Sequence, residues 1–276
     1  MRSDRFVERG RVNGVEWLRS HGSCAQGLVI APPLIGGHAI QQLRLLRPLV
    51  KSNLDLISFS YAGHGGSRGA FSLKAALDNS LTALDLAISQ SRREGLPLFG
   101  FASCFAAIPL LHAVQQRNEP LAKMVLINAL PHLRWEKMVF DFYRYWRKSR
   151  HWQPSLQGLK TALQTYRDDL LPNVRHRHQA FGILSRQRVR WPRMMRDLFT
   201  LRKLDAKPIR STPVLCIYGQ HDRMLQHVGF SDWAGYEALI EQICPRTQFW
   251  RINSDHFITG SKIRRQLIER VIRFFR

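Results

Sequence analysis

Six short apolar runs recur along the chain, and the spaces between most of them carry a helical pattern. The runs are Leu28-Val29-Ile30, Leu54 to Phe59, Pro97 to Phe101, Met124 to Asn128, Pro213 to Tyr218 and Gln248 to Ile252. Their length and near-continuous hydrophobicity suit strands buried on both faces. Helix is expected from about residue 39 to 51, from about 72 to 91, after the third run as far as Gln116, from Trp233 to Ile243, and from about 261 to 275. In the second of these, Leu73, Ala76, Leu77, Leu81, Leu84 and Ala87 or Ile88 share one face. Strands alternating with helices imply a mainly parallel α/β sheet flanked by helices. The opening differs. Phe6-Val7-Glu8 and Val12 lead into Asn13-Gly14, a strong two-residue turn signal, and Val15 to Leu18 follows. A hairpin there puts antiparallel strands at one edge.

The third run enters Ala102-Ser103-Cys104-Phe105-Ala106-Ala107 and then a helix. A nucleophile displayed on a sharp strand-to-helix turn needs small residues two before it and two and three after it, because bulk there strikes the neighbouring strand or helix. With Cys104 at the apex those positions are Ala102, Ala106 and Ala107. With Ser103 there, Phe101 and Phe105 fall on the tight positions, and with Ala102 there is no nucleophile. Cys104 is therefore the preferred nucleophile and Ser103 the alternative. A lone Cys is more often a small buried apolar residue, so its partners matter.

Two residues stand where partners should be. Asp222, in Gly219-Gln220-His221-Asp222, lies just past the run 213–218, and His256, in Ser254-Asp255-His256-Phe257, just past the run 248–252. In a parallel sheet the carboxyl ends of the strands share one edge, where ligands bind. His256 would move the thiol proton, and Asp222 would hold the imidazole in the right tautomer. An Asp after a strand also serves as a helix cap or turn residue, and a single His is ordinarily structural. The ordered set of three carries the reading. For an oxyanion, the Phe105 backbone N–H is one expected donor. The second should come from the loop after Ile30. Pro32 and Pro33 have no N–H, so Leu34 is the candidate and Ile35 the next, ahead of Gly36-Gly37.

The chain resembles the α/β-hydrolase superfamily over nearly its full length, except about 131–210. The marks are Pro32-Pro33-Leu34-Ile35-Gly36-Gly37, Ser60-Tyr61-Ala62-Gly63-His64-Gly65-Gly66-Ser67, the turn at Cys104, Gly219 to Asp222, and Asp255-His256-Phe257. The order nucleophile, acid, histidine is that of the family. The second mark looks like the family's Asp-x-x-Gly-x-Gly-x-Ser turn with Ser60 in place of the Asp. The departures are Cys for Ser, and Ala102 and Ala106 for the usual elbow glycines. A cysteine elbow is similar to those of dienelactone hydrolases and of some thioesterases and acyltransferases. The resemblance implies an α/β-hydrolase fold with a helical cap inserted after the strand at 124–128. The core would be 1–130 and 211–276, and the cap 131–210.

The chain has 276 residues, enough for one substantial core with an inserted subdomain. No apolar run is long enough to span a membrane, and Met1-Arg2-Ser3-Asp4-Arg5 lacks an apolar signal core. Cys24, Cys104, Cys216 and Cys244 show no metal-type spacing. A reduced, cytoplasmic setting is expected, with no metal and no cofactor. The charge stands out: 42 Lys and Arg against 20 Asp and Glu, a formal +22. Such a field attracts polyanions, acidic proteins or anionic membranes, or reflects a bias towards arginine. Residues 131–210 hold 19 of the cations and 6 of the carboxylates. As a lid, this aromatic-rich segment would line a pocket and exclude water. Arg186, Arg190 and Arg193 lie in its densest basic run, which is either a solvated face without function or a docking face suited to an acidic acyl-carrier protein or a phosphopantetheine-type phosphate. The leading expectation is a thioesterase or acyltransferase working on a carrier-bound or CoA-type thioester through an S-acyl Cys104. The alternatives are an ester or lactone hydrolase on a free small molecule, and an inactive fold serving as a basic binding module. Nucleic acid is disfavoured as a partner, since no motif for it is present.

Overall fold

The computed structural model describes residues 7–34, 37–118, 121–131, 207–227, 232–258 and 260–276, and a few positions between 140 and 197. Strands β1 (Val7–Val12) and β2 (Val15–Ser20) form the opening hairpin. Its turn residues, Asn13 and Gly14, have φ of 50° and 80°, the left-handed pair that a two-residue turn needs to match strand twist. The other strands are β3 (Leu28–Ile30), β4 (Asp55–Phe59), β5 (Leu98–Ser103), β6 (Lys123–Ile127), β7 (Val214–Gly219) and β8 (Thr247–Ile252). The sheet order is β1-β2-β4-β3-β5-β6-β7-β8. β2 runs antiparallel to β4, and every pair from β4 across to β8 is parallel. The carboxyl ends of β3 to β8 therefore share one edge.

Helices cover both faces. On one lie α3 (Leu73–Glu94), α4 (Ala107–Arg117) and α6 (Trp233–Ile243), packed through Leu77, Leu84, Leu110, Val114, Tyr236 and Ile240. On the other lie α1 (Ala39–Leu45), α2 (Arg47–Lys51) and α7 (Ser261–Phe275), through Leu43, Leu46, Leu49, Leu267, Val271 and Phe275. A short helix, α5 (Arg223–His227), follows β7. The ends of α3 follow from local chemistry. The Ser72 hydroxyl accepts the Ala75 amide at 3.0 Å, and Gly95 closes the helix at φ 65°. The single helix expected over 39–51 is instead two, meeting at Leu46. Pro48 has no N–H to give back to Arg44, so the chain restarts with Pro48 in the first turn of α2.

The loop after β4 shows why Ser60 suffices where the resembling motif has Asp. Glu16, on β2, brings its own carboxylate. Its Oε2 accepts the Ser60 hydroxyl at 2.9 Å and the Gly66 amide at 2.7 Å, and its Oε1 meets Arg9 at 2.6 Å. Gly65 sits at φ 50°, and a Cβ there would fall 2.5 Å from that carboxylate. Burial alone would raise the Glu16 pKa, but the bonds from Gly66, Ser60 and Arg9 outweigh it and hold it low. The Ser60 hydroxyl in turn accepts the Ala39 amide at 3.3 Å, which ties this turn to the start of α1. Glu16→Ala would strand the buried Ser60 hydroxyl, at about 1–3 kcal/mol, and take the acceptor from the half-buried Gly66 amide, at about 1 kcal/mol more. Urea unfolding should show a loss of at least about 2 kcal/mol; an unchanged midpoint would refute this role.

Candidate active site

Ser103 is still a strand residue, paired in register with Ile127, with φ −130° and ψ 148°. The chain turns at the next residue. Cys104 has φ 48°, a left-handed conformation that costs any residue with a Cβ. A 3₁₀ turn, Cys104–Ala106, then leads straight into α4. Ala102, Ala106 and Ala107 are fully buried around the turn, which is what small flanks at these positions permit. The Cys104 side chain is half-buried, and its Sγ lies 3.8 Å from Met224 Sδ. Cys24 is exposed. Cys216 and Cys244 are buried, and burial pushes each thiol up to about 12.

Phe105 follows the apex in the first turn of that helical stretch, where backbone N–H groups have no acceptor within the helix. The Cys104 carbonyl is held from below by the Leu130 amide at 3.0 Å. Leu34 lies four residues past β3 on the same edge; its side chain is 40 % exposed and its carbonyl accepts the Gly37 amide at 2.9 Å. Ile35, the second candidate donor, is outside the described residues.

Asp222 and His256 come from the loops after β7 and β8. The Asp222 side chain is fully buried, and its two oxygens do different work. Oδ1 accepts the Leu225 amide at 2.9 Å, capping α5, while Oδ2 meets His256 Nδ1 at 2.7 Å. The helix-cap role and the histidine-partner role thus fall on one carboxylate. The His256 side chain is 7 % exposed. Burial alone would lower its pKa. The negative charge of Cys104 and the hydrogen bond to Asp222 overcome that and raise it from 6.5 to about 10.

Two supports of this pair escape any local reading of the sequence. Gly219 ends β7 where a Cβ would be 2.4 Å from the Ser254 carbonyl and 2.8 Å from that of Asp255. Only the missing side chain lets the two loops touch. Asn128, at the end of β6, is buried with φ 45°, a conformation Asn tolerates better than most residues. Its Oδ1 accepts the Gly219 amide at 2.8 Å and its Nδ2 donates to the His256 carbonyl at 2.7 Å. One carboxamide therefore spans both loops.

Arg186, Arg190 and Arg193, and nearly all of the expected cap, lie outside the described residues. Among the described residues that segment meets the core at Asp197, whose carboxylate accepts the Lys74 amide at the start of α3 at 3.0 Å, and near its end, where the Lys207 carbonyl accepts Gln115 Nε2 and the Ile209 amide donates to the Ile243 carbonyl, both at 2.7 Å. Among the described residues no cluster of His, Cys, Asp or Glu could hold a metal ion. Nor is any described helix long and apolar enough to cross a membrane.

The imidazolium form of His256 persists below about pH 10. Where it delivers the proton, turnover should fall on an alkaline limb near that pH. Asp222→Asn removes one of the groups that raise this pKa, so the limb should move down towards the ordinary histidine range. Asn128→Ala loosens the loops and should cut kcat about 10- to 100-fold. A limb that stays put in Asp222→Asn contradicts the pairing. The linked stability, present below about 6.5 and lost as pH rises through about 10, should shrink in the same variant.

No protein-family model and no curated protein sequence matches the chain. Solved structures do. A soluble variant of monoglyceride lipase from Saccharomyces cerevisiae aligns over 99 % of this chain and 95 % of its own, with TM-score 0.59 and 15 % identity. An esterase from Pyrococcus furiosus aligns over 98 % and 91 %, with TM-score 0.61 and 12 % identity. A serine hydrolase homologue from Coxiella burnetii aligns over 99 % and 99 %, with TM-score 0.56 and 13 % identity. At these identities the likeness is one of architecture. With a mostly parallel sheet, of eight strands among the described residues, between helical layers, the chain has the α/β-hydrolase fold.

Proposed function

We propose that this chain is an acyl-transfer enzyme, a thioesterase or acyltransferase, with Cys104 as nucleophile, His256 as acid and base, and Asp222 as the group that orients it. The observation that carries the reading is the left-handed turn at Cys104 beside a His256 whose Nδ1 is held 2.7 Å from Asp222. With the Cys104 proton held on His256, the Cys104 sulfur attacks the acyl carbonyl, and the negative oxygen develops towards the Phe105 and Leu34 amides. As the carbon–sulfur bond to the leaving thiol breaks, His256 gives that thiol its proton. The acyl group now sits on Cys104. His256 next takes a proton from water, or from an amine or alcohol, as that acceptor attacks. Collapse frees the acid or the transferred product and returns the sulfur to its starting state.

A thioester is the favoured substrate for a chemical reason. In the tetrahedral intermediate the better leaving group departs, and a thiolate leaves far more readily than an alkoxide. With a thioester both candidate leaving groups are thiols, so forward collapse competes evenly with return. With an oxygen ester the intermediate falls back unless the alkoxide is protonated. His256, held in its protonated form, could meet that demand, which supports ester or lactone hydrolysis as the second reading. A carrier-bound or CoA-type substrate would dock its acidic carrier or phosphate on the cap arginines Arg186, Arg190 and Arg193.

Quenched reaction with a short N-acetylcysteamine thioester, followed by mass spectrometry, should place the acyl group on Cys104. Cys104→Ala should lose about three orders of magnitude in turnover or more. The matching N-acetylethanolamine oxygen ester, whose leaving group is an alkoxide, should turn over more slowly than the thioester. Reversing Arg186, Arg190 and Arg193 to Glu should raise KM for a carrier-bound thioester and leave the soluble one unchanged. Full activity in Cys104→Ala, or acyl on Ser103, would overturn the assignment. No turnover with any ester or thioester would leave the inactive, basic binding module.

A further inference from the structure

The two helical layers differ sharply in charge. Layer α3, α4 and α6 carries four Lys and Arg against five Asp and Glu. Layer α1, α2 and α7 carries eight against one, Glu269. Arg44, Arg47 and Lys51 come from α1 and α2. The other five, including Arg265, Arg270 and Arg273, come from α7. All eight are exposed, and none is ion-paired to a carboxylate among the described residues, whereas Arg117 on the opposite layer is bound to Asp85 at 2.6 Å. The apolar faces of these three helices are already spent on the core through Leu43, Leu49, Leu267 and Phe275. What they expose is mostly cationic, interspersed with Gln41, Ser261, Gln266 and Glu269, and it includes one large hydrophobic residue. Leu45 is 67 % exposed and sits between Arg44 and Arg47.

We infer that this layer is a docking face for an anionic lipid bilayer. Cations spread over three helices and unpaired to any carboxylate among the described residues, with a protruding aliphatic side chain among them, match an anionic headgroup plane into which one apolar group dips. A single-strand nucleic-acid platform would present exposed aromatic rings for stacking, and a duplex, held through its phosphates, gains nothing from a protruding aliphatic side chain. An acidic-protein interface would centre on buried aromatic anchors. Leu45 is the one large hydrophobic residue exposed on the described part of this layer, and it is neither.

The test is co-sedimentation with phosphatidylcholine vesicles, with and without about 30 % phosphatidylglycerol, at low and high salt. The protein should bind the anionic vesicles and release as salt screens the charges. Each cation near an anionic surface strengthens binding about fivefold, so Arg265→Glu/Arg270→Glu/Arg273→Glu should weaken it by roughly two orders of magnitude or more. The matching Lys triple should keep most of it. If the Glu triple does not fold, the Gln triple should still show a large loss. Leu45→Ser should weaken binding several-fold. The charge-matched control reverses Arg186, Arg190 and Arg193 and should lose much less. Equal losses in the two Glu triples would mean that net charge rather than this face binds, and would overturn the proposal. So would an absence of vesicle binding, including one accompanied by α7-dependent binding of DNA or of an acidic polypeptide.

Discussion

Four parallel strands in register, β5 to β8, deliver Cys104, Asn128, Asp222 and His256 off their carboxyl ends in that order. That shared edge is the constraint on which the candidate site depends. Parallel pairing sends every chain direction the same way, so the turns after neighbouring strands are neighbours in space. The finer placement comes from backbone. Cys104 turns through a left-handed residue because its flanks are alanines, and the loops of Asp222 and His256 meet because Gly219 has no side chain. Strain at Cys104 is tolerated because the strand below and the helix above fix both sides of it.

The electrostatics depend on the same packing. A buried carboxylate is costly unless its oxygens are occupied. Asp222 fills one with the Leu225 amide and the other with His256. A buried imidazolium is costly too, and burial does work against it. Cys104 and Asp222 outweigh that cost. Cys216 and Cys244 are buried as well, and burial pushes their thiols up to about 12. On the proposed reading the three groups act as a unit, and removing any one would leave the others in a site built for three.

Much of the fold was legible because its signals are local. Asn13-Gly14 and Ser72 announce a turn and a cap by their own chemistry, and α6 and α7 occupy the ranges their patterns imply, while α3 runs past the expected residue 91 to Glu94, where Gly95 closes it. Cys104, Asp222 and His256 could be singled out because each follows a strand-forming run. The break at Leu46 was missed although Pro48 signals it locally. Other features had no local signal. Glu16 serves a turn 50 residues away, Met224 lies 120 residues from Cys104, and Asn128 reaches a carbonyl 128 residues on. Such contacts exist only once the sheet has assembled. The charge asymmetry between the helical layers is of the same kind. The total of +22 was plain in the sequence, but which helices share a face is decided by topology.

The central claim is that Cys104 and His256 form one reactive pair. Its most direct measurement is the iodoacetamide alkylation rate of each cysteine near neutral pH, read by mass spectrometry, in the native chain and in His256→Ala. The account predicts that Cys104 reacts fastest of the four, ahead of even the exposed Cys24, and that the advantage collapses when His256 is removed. A Cys104 no faster than Cys24, or equally fast without His256, would contradict it.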